Sequence, residues 1–157
     1  RESVGMGAKG NPGVAGTISQ TQGAIGYIGS EYAFAMKIQT AQLQNSSGNY
    51  VSPTIETVSA AAQGEIPTDT RVMLTNSADQ NAYPISGFTW IILYKEQNYN
   101  NRTKEQALAT VQLLECSVSE EAQGDAEKVH YSPLPASAVE KAKTILHGVT
   151  FDGKPLL

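Results

Sequence analysis

Lys9 sits in the run Gly5-Met6-Gly7-Ala8-Lys9-Gly10-Asn11-Pro12-Gly13. A cation in a glycine-rich turn ahead of a helix can hold an anion. The chemistry would be electrostatic: free backbone amides and a helix dipole face the negative charge, and the lysine adds to them. Asn11 is placed to cap the helix, and Pro12 fits its first turn, where a missing N–H costs nothing. The competing reading is a plain turn, with a solvated lysine and glycines that only permit close packing; glycines at a helix start are common enough to favour it. The first six residues of the run also match G-x-G-x-x-G. Only four residues precede them, no strand leads in, and no acidic residue ends a second strand at the distance a dinucleotide ribose requires. No Gly-Lys-Ser/Thr loop for nucleotide phosphates occurs.

The other reactive side chains form no constellation. His130 and His147 are far apart and have no metal-ligand companion at helix or hairpin spacing, so structural or surface roles are expected. His147 falls in the last turn of a helix, where a cation suits the dipole. The single cysteine, Cys116, excludes an internal disulfide and a multi-cysteine metal site; on the apolar side of a helix it reads as a buried, inert thiol. No Gly-x-Ser-x-Gly elbow is present, so no catalytic residue is singled out. Glu120, Glu121 and Asp125 beside Gly124 read as a solvated acidic loop. Tyr83, Trp90 and Tyr94, flanked by Ile and Leu, read as core rather than a stacking platform. Asn45-Ser46-Ser47 and Asn101-Arg102-Thr103 match the glycosylation sequon, which matters only in a eukaryotic secretory protein.

The elements that would carry these residues are legible from periodicity and caps. Helices are expected at 12–21, 31–37, 53–63, 104–119 and 136–147. The fourth opens on a Thr103/Gln106 capping box and lines Ala107, Val111, Leu114 and Val118 on one face. The fifth carries Ser137 three residues ahead of Glu140, then Val139, Ala142, Ile145 and Leu146 as a stripe closed by Gly148. Strands are expected at 24–28, 40–44, 49–51, 71–74 and 88–94, with a polar hairpin turn at 44–49. The last strand is apolar on both faces, as for one covered on both sides, and alternation of helix and strand points to an α/β fold.

Bulk properties bound the function. A chain of 157 residues, 40% hydrophobic and 17% charged, has globular composition and length for one ordinary core. Its formal charge of −4 argues against a nucleic-acid partner, though not against one small anion. The longest apolar run, Trp90-Ile91-Ile92-Leu93-Tyr94, has the length of a strand and not of a membrane span.

Beyond the glycine run, Gly23-Ala24-Ile25-Gly26-Tyr27-Ile28 and Glu31-Tyr32-Ala33-Phe34-Ala35 follow in order. After them come Val51-Ser52-Pro53-Thr54, Tyr83-Pro84-Ile85, Ile91-Ile92-Leu93-Tyr94-Lys95-Glu96-Gln97, Tyr131-Ser132-Pro133-Leu134-Pro135 and Asp152-Gly153-Lys154-Pro155-Leu156. In content, order and rough spacing these resemble the C-terminal half of the periplasmic phosphate-binding proteins that serve high-affinity phosphate ABC transporters. The resemblance spans about residues 5–157 and rests on no single diagnostic motif.

That resemblance implies a partial periplasmic-binding-protein-like fold of type II. Residues 1–82 would end the second lobe; 83–157 would hold a crossover at Tyr83-Pro84 and the returning part of the first. It implies a non-enzymatic receptor, periplasmic or on a bacterial cell surface, that needs no cofactor and passes inorganic phosphate to a membrane permease. Phosphate would be held by amides, hydroxyls, an Arg and an Asp that takes the ligand's proton. The family's Ser, Thr and Asp ligands and its Arg with a Ser-Gly-Thr turn are expected upstream of this segment. Lys9, Gly10 and Asn11 would then be cleft-proximal only, and the segment alone would bind phosphate weakly or not at all. The apolar faces of Leu108, Val111, Leu114, Val139 and Leu146 would need cover from the N-terminal segment or a second copy of the chain. The competing class is a binding or sensory module of the same fold for another ligand or a protein partner.

Overall fold

Helix termini decide most of the observed elements. In the computed structural model, which describes residues 5–157, α1 spans Gly10–Gln20 and α2 Ser30–Ala35. The four residues ahead of the G-x-G-x-x-G match lie outside the described residues. Strands β1 (Leu43–Gln44) and β2 (Tyr50–Val51) form a short antiparallel hairpin in which Leu43 pairs with Val51. Asn45 sets its turn: the side-chain carbonyl accepts from the amides of Ser47 and Asn49, both at 3.1 Å. Thr54 then caps α3 (Ile55–Ala61), accepting from the Thr57 amide while Thr57 accepts from the Thr54 amide.

The second half is helical and closes on a hairpin. The Thr103/Gln106 box caps α4 (Lys104–Ser117) as its spacing predicts. Ser119 caps α5 (Glu120–Ala126), and a 3-10 turn at Glu127–Val129 follows. Helix α6 (Ala136–His147) leads into the antiparallel pair β3 (Thr150–Phe151) and β4 (Lys154–Pro155). The acidic loop expected around Glu120 is therefore a helix. Glu120 and Glu121 occupy its first turn, where carboxylates suit the positive end of the dipole.

Two small cores result among the described residues. Ala107 and Val111 of α4 meet Leu146 of α6, with Val149 and Leu156 beneath and Leu93, Leu108, Leu114, Val118 and Phe151 around them. Ala61, Ala62, Leu74 and Ala82 form the other, joined by Ala60, Val72 and Phe88. The α4 face read from the sequence is thus the buried one. Of the faces expected to lack cover, Leu108, Val111, Leu114 and Leu146 pack together in this core, while Val139 is half-buried and lies outside it.

Several expectations are corrected. Residues 24–28, 71–74 and 88–94 belong to no strand ladder, so the sheet of an α/β layer is missing among the described residues; what is observed is a mixed fold of helices and four two-residue strands. A strand needs a hydrogen-bonded neighbouring backbone, and among the described residues these stretches pair with none. Residues 88–94 are consequently not covered on both faces: Trp90 is 44% exposed, Ile92 94% and Tyr94 71%. Of the three aromatics read as core, only Tyr83 is buried. Cys116 is exposed rather than buried, because α4 turns its Ala107/Val111 side inward and leaves the cysteine outside. Asn11 is not a cap, since Lys9 occupies that position without a side-chain bond. Ser137 likewise lies inside α6, which Pro135 precedes.

Candidate functional site

Lys9, Gly10 and Asn11 are brought together at the N-terminus of α1. All three are exposed. Gly10 takes a left-handed φ of +66°, which glycine adopts without the penalty of a Cβ, and this turns the chain sharply into the helix. With Pro12 next, the amides of Gly10 and Asn11 have no intrahelical acceptor and no partner among the described residues. No acidic residue stands in the first turn to compete for them. Among the described residues the turn therefore has donors and a nearby cation, with no hydroxyl or guanidinium bonded to it. By itself it is an open seat for negative charge.

The remaining motif residues are brought together for a different purpose. Glu96 and Asp152-Gly153 are far apart in sequence, yet the Glu96 carboxylate accepts from the amides of Asp152 (3.0 Å), Gly153 (3.1 Å) and Asn98 (2.9 Å) and from the Thr150 hydroxyl (2.8 Å). These bonds stabilise its ionised form, led by the Asn98 amide, and hold its pKa down to about 2. A parallel bridge between Glu96 and Thr150 and a side-chain bond from Asn98 to Asp152 complete the clasp. Beside it, Gln97 is almost fully buried and accepts from Arg102, whose guanidinium also donates to the Tyr99 hydroxyl, the Gln106 carbonyl and Thr110. That guanidinium is already committed to neutral acceptors on its own neighbours.

The same holds elsewhere. The Tyr83 amide donates to the Thr57 carbonyl at 2.9 Å, and the Thr57 hydroxyl donates to the Ser52 carbonyl at 2.7 Å. This joins the Tyr83-Pro84 stretch to the Val51-Ser52-Pro53-Thr54 stretch. Burial raises the pKa of the Tyr83 phenol, which donates to the Ala41 carbonyl. The Ser132 hydroxyl reaches the Ile55 carbonyl at 3.0 Å, tying the Tyr131-Ser132-Pro133 stretch to α3. The buried Asn45 donates to the carbonyls of Gln80 and Ala82 and fastens the first hairpin there. None of these clasps was legible from the sequence, because each joins residues tens of positions apart.

The histidines also have ordinary partners. His147 lies 2.9 Å from Glu115, linking α6 to α4, and His130 meets the Phe34 ring edge-on at 6.1 Å. Among the described residues no group of three or more His, Cys, Asp or Glu could hold a metal ion, and no helix is long and apolar enough to cross a membrane.

No family model matches the sequence. Individual relatives do. A protein named phosphate-binding protein PstS from Xylella fastidiosa is 34% identical over 140 residues, covering 87% of this chain and 37% of its own length. Its namesake from Pasteurella multocida is 31% identical over 141 residues, 88% of this chain and 40% of its own. Another, from Methanocaldococcus jannaschii, is 35% identical over 115 residues, 67% of this chain and 29% of its own. This chain is a PstS-like segment. It spans well under half the length of these curated relatives. Within the PstS-like sequence, the clasps at Glu96, Thr57, Ser132 and Asn45 account for several polar residues as architecture, and the exposed turn at Lys9 combines unbonded amides with a cation among the described residues.

Proposed function

We propose that this chain is part of a non-enzymatic solute-binding receptor that captures inorganic phosphate between two lobes and delivers it to the membrane permease of an ABC transporter. The observation that carries the reading is similarity over 87% of the chain to a protein named for phosphate binding. The receptor works outside the cytoplasmic membrane, in the periplasm or on the bacterial cell surface. Residues 1–82 belong to one lobe. Residues 83–157 begin at the crossover and return to the other, so Tyr83-Pro84 is the hinge strand on which the lobes close. Lys9, Gly10 and Asn11 lie near the cleft and add long-range attraction, while the principal ligands come from polypeptide beyond this segment. The clasps at Glu96, Thr57 and Ser132 support that division: there the motif stretches spend their polar groups on one another.

The test is equilibrium binding of radiolabelled phosphate, in competition with sulfate, by the parent polypeptide that carries these residues. Phosphate displaced only by phosphate is the expected result; indifference to phosphate, or equal displacement by sulfate, contradicts the reading. In the same assay Lys9→Ala weakens binding by about threefold, the size of a screened charge near an anion and not of a direct ligand.

A further inference from the structure

Asp152-Gly153 is the one place in the sequence where an aspartate or asparagine stands directly before glycine. Such a pair can react with itself. The glycine nitrogen, unshielded by a Cβ, attacks the aspartate Cγ. The N–Cγ bond forms, the Cγ–OH bond breaks, and the hydroxyl leaves with the amide proton as water, closing a succinimide ring. Water then reopens the ring at either carbonyl. Opening at Cγ restores aspartate. Opening at the main-chain carbonyl of Asp152 breaks its bond to the Gly153 nitrogen, and the chain then runs through Cβ as isoaspartate. Both residues are exposed, and nothing among the described residues lies within 4 Å of where a Gly153 Cβ would stand. Steric cover is therefore not what restrains the reaction.

The Glu96 clasp restrains it instead. The attacking group, the Gly153 amide, donates to Glu96 Oε2 at 3.1 Å, and the Asp152 amide donates to Oε1 at 3.0 Å. Attack requires the Gly153 nitrogen to give up its proton and turn toward Cγ. A facing carboxylate opposes both: its charge disfavours an amide anion, and its hydrogen bond fixes the peptide plane. The group under attack is tied as well, since the Asn98 side-chain amide donates to Asp152 Oδ1. The φ values of Asp152 (+51°) and Gly153 (+72°) are those of a tight hairpin turn, closed by the Phe151–Lys154 pair. We propose that Asp152-Gly153 is a latent isoaspartate-forming site, held unreactive by Glu96 and released to react only when the β3–β4 hairpin opens. Reaction would then keep the hairpin open. Isoaspartate adds a main-chain carbon to a two-residue turn, so the Thr150–Pro155 and Phe151–Lys154 pairs and the 3.1 Å bond from the Leu156 amide to the Val149 carbonyl no longer fit together. Val149 and Leu156 are core residues, so the damage reaches the packing under α4 and α6. The inference does not depend on the ligand being phosphate.

The experiment ages the chain in mildly acidic buffer beside a synthetic peptide of residues 148–157, which has the same bond and no clasp. Isoaspartate at position 152 is counted by peptide mapping with electron-transfer fragmentation, and independently by methylation with an isoaspartyl methyltransferase. It is expected to form at least about 20-fold more slowly in the chain than in the peptide. Glu96→Ala is expected to bring the chain to within about threefold of the peptide, with the amides of α4 and α6 still protected from hydrogen exchange. A chain that reacts as fast as the peptide overturns the proposal, and so does a folded Glu96→Ala chain that stays as slow as the unsubstituted one. If Glu96→Ala loses the protection of α4 and α6, Asn98→Ala decides, because it removes only the side-chain bond to Asp152. Faster isomerisation at an unchanged melting temperature supports the proposal, and an unchanged rate overturns it. Deamidation at Asn76-Ser77, which makes no hydrogen bond to the clasp, is followed in the same maps. An equal acceleration there overturns the proposal, since the whole chain has then loosened.

Discussion

Glu96 shows how much a single exposed carboxylate can organise when backbone amides converge on it. Its four donors come from both sides of a loop closure between the 88–97 stretch and the β3–β4 hairpin. Because its folded pKa is depressed from 4.5 to about 2, it stabilises the fold above pH 4.5, and that contribution is lost as pH falls from about 4.5 to about 2. Glu96→Gln should lower the melting temperature at pH 7 and flatten the acid limb of a melting-temperature–pH profile; an unchanged acid limb would mean the clasp does not couple to folding. Asn45 offers the neutral counterpart. It satisfies two amides and two carbonyls from a buried position, so Asn45→Ala should cost about 2–3 kcal/mol in urea unfolding. A loss below about 0.5 kcal/mol would place the site among ordinary surface positions.

Among the elements, legibility followed the range of the interactions. The Thr103/Gln106 box and the Ala107/Val111 face are local, so the start and the buried side of α4 could be read from the sequence. Thr103→Ala should cost about 1 kcal/mol, measured by chemical denaturation, with the helix otherwise intact. The first hairpin was likewise readable from its polar turn, although the burial of Asn45 was not, since carbonyls at Gln80 and Ala82 cause it. Gly124 in the middle of α5 and the acidic run at its start give it the composition of a solvent-facing loop. The signal was there in Ser119, whose hydroxyl caps the helix, followed by two glutamates at the dipole's positive end. Cys116 is exposed against expectation for a related reason: a helix with a narrow buried stripe leaves positions near that stripe outside.

For the whole molecule, the strands were where sequence and structure parted. Residues 24–28, 71–74 and 88–94 have strand composition because of the sheets they are suited to join, and a sheet is a property of several segments together. The described residues supply two hairpins of two-residue strands and leave the longer apolar stretches unpaired. The resemblance read from the motifs held, and 31–35% identity to named phosphate-binding proteins supports it. The candidate site was legible only as an anion-compatible turn at Lys9, because capture of a dehydrated anion requires converging groups from more than one part of a chain. The central claim is that this segment supplies architecture for a phosphate receptor while the principal ligands lie elsewhere. Calorimetric titration of phosphate into the isolated 157-residue chain, beside the parent polypeptide, tests it most directly. Tight binding by the parent with a millimolar or weaker dissociation constant for the isolated chain is the predicted result; a micromolar or tighter constant for the isolated chain would contradict it.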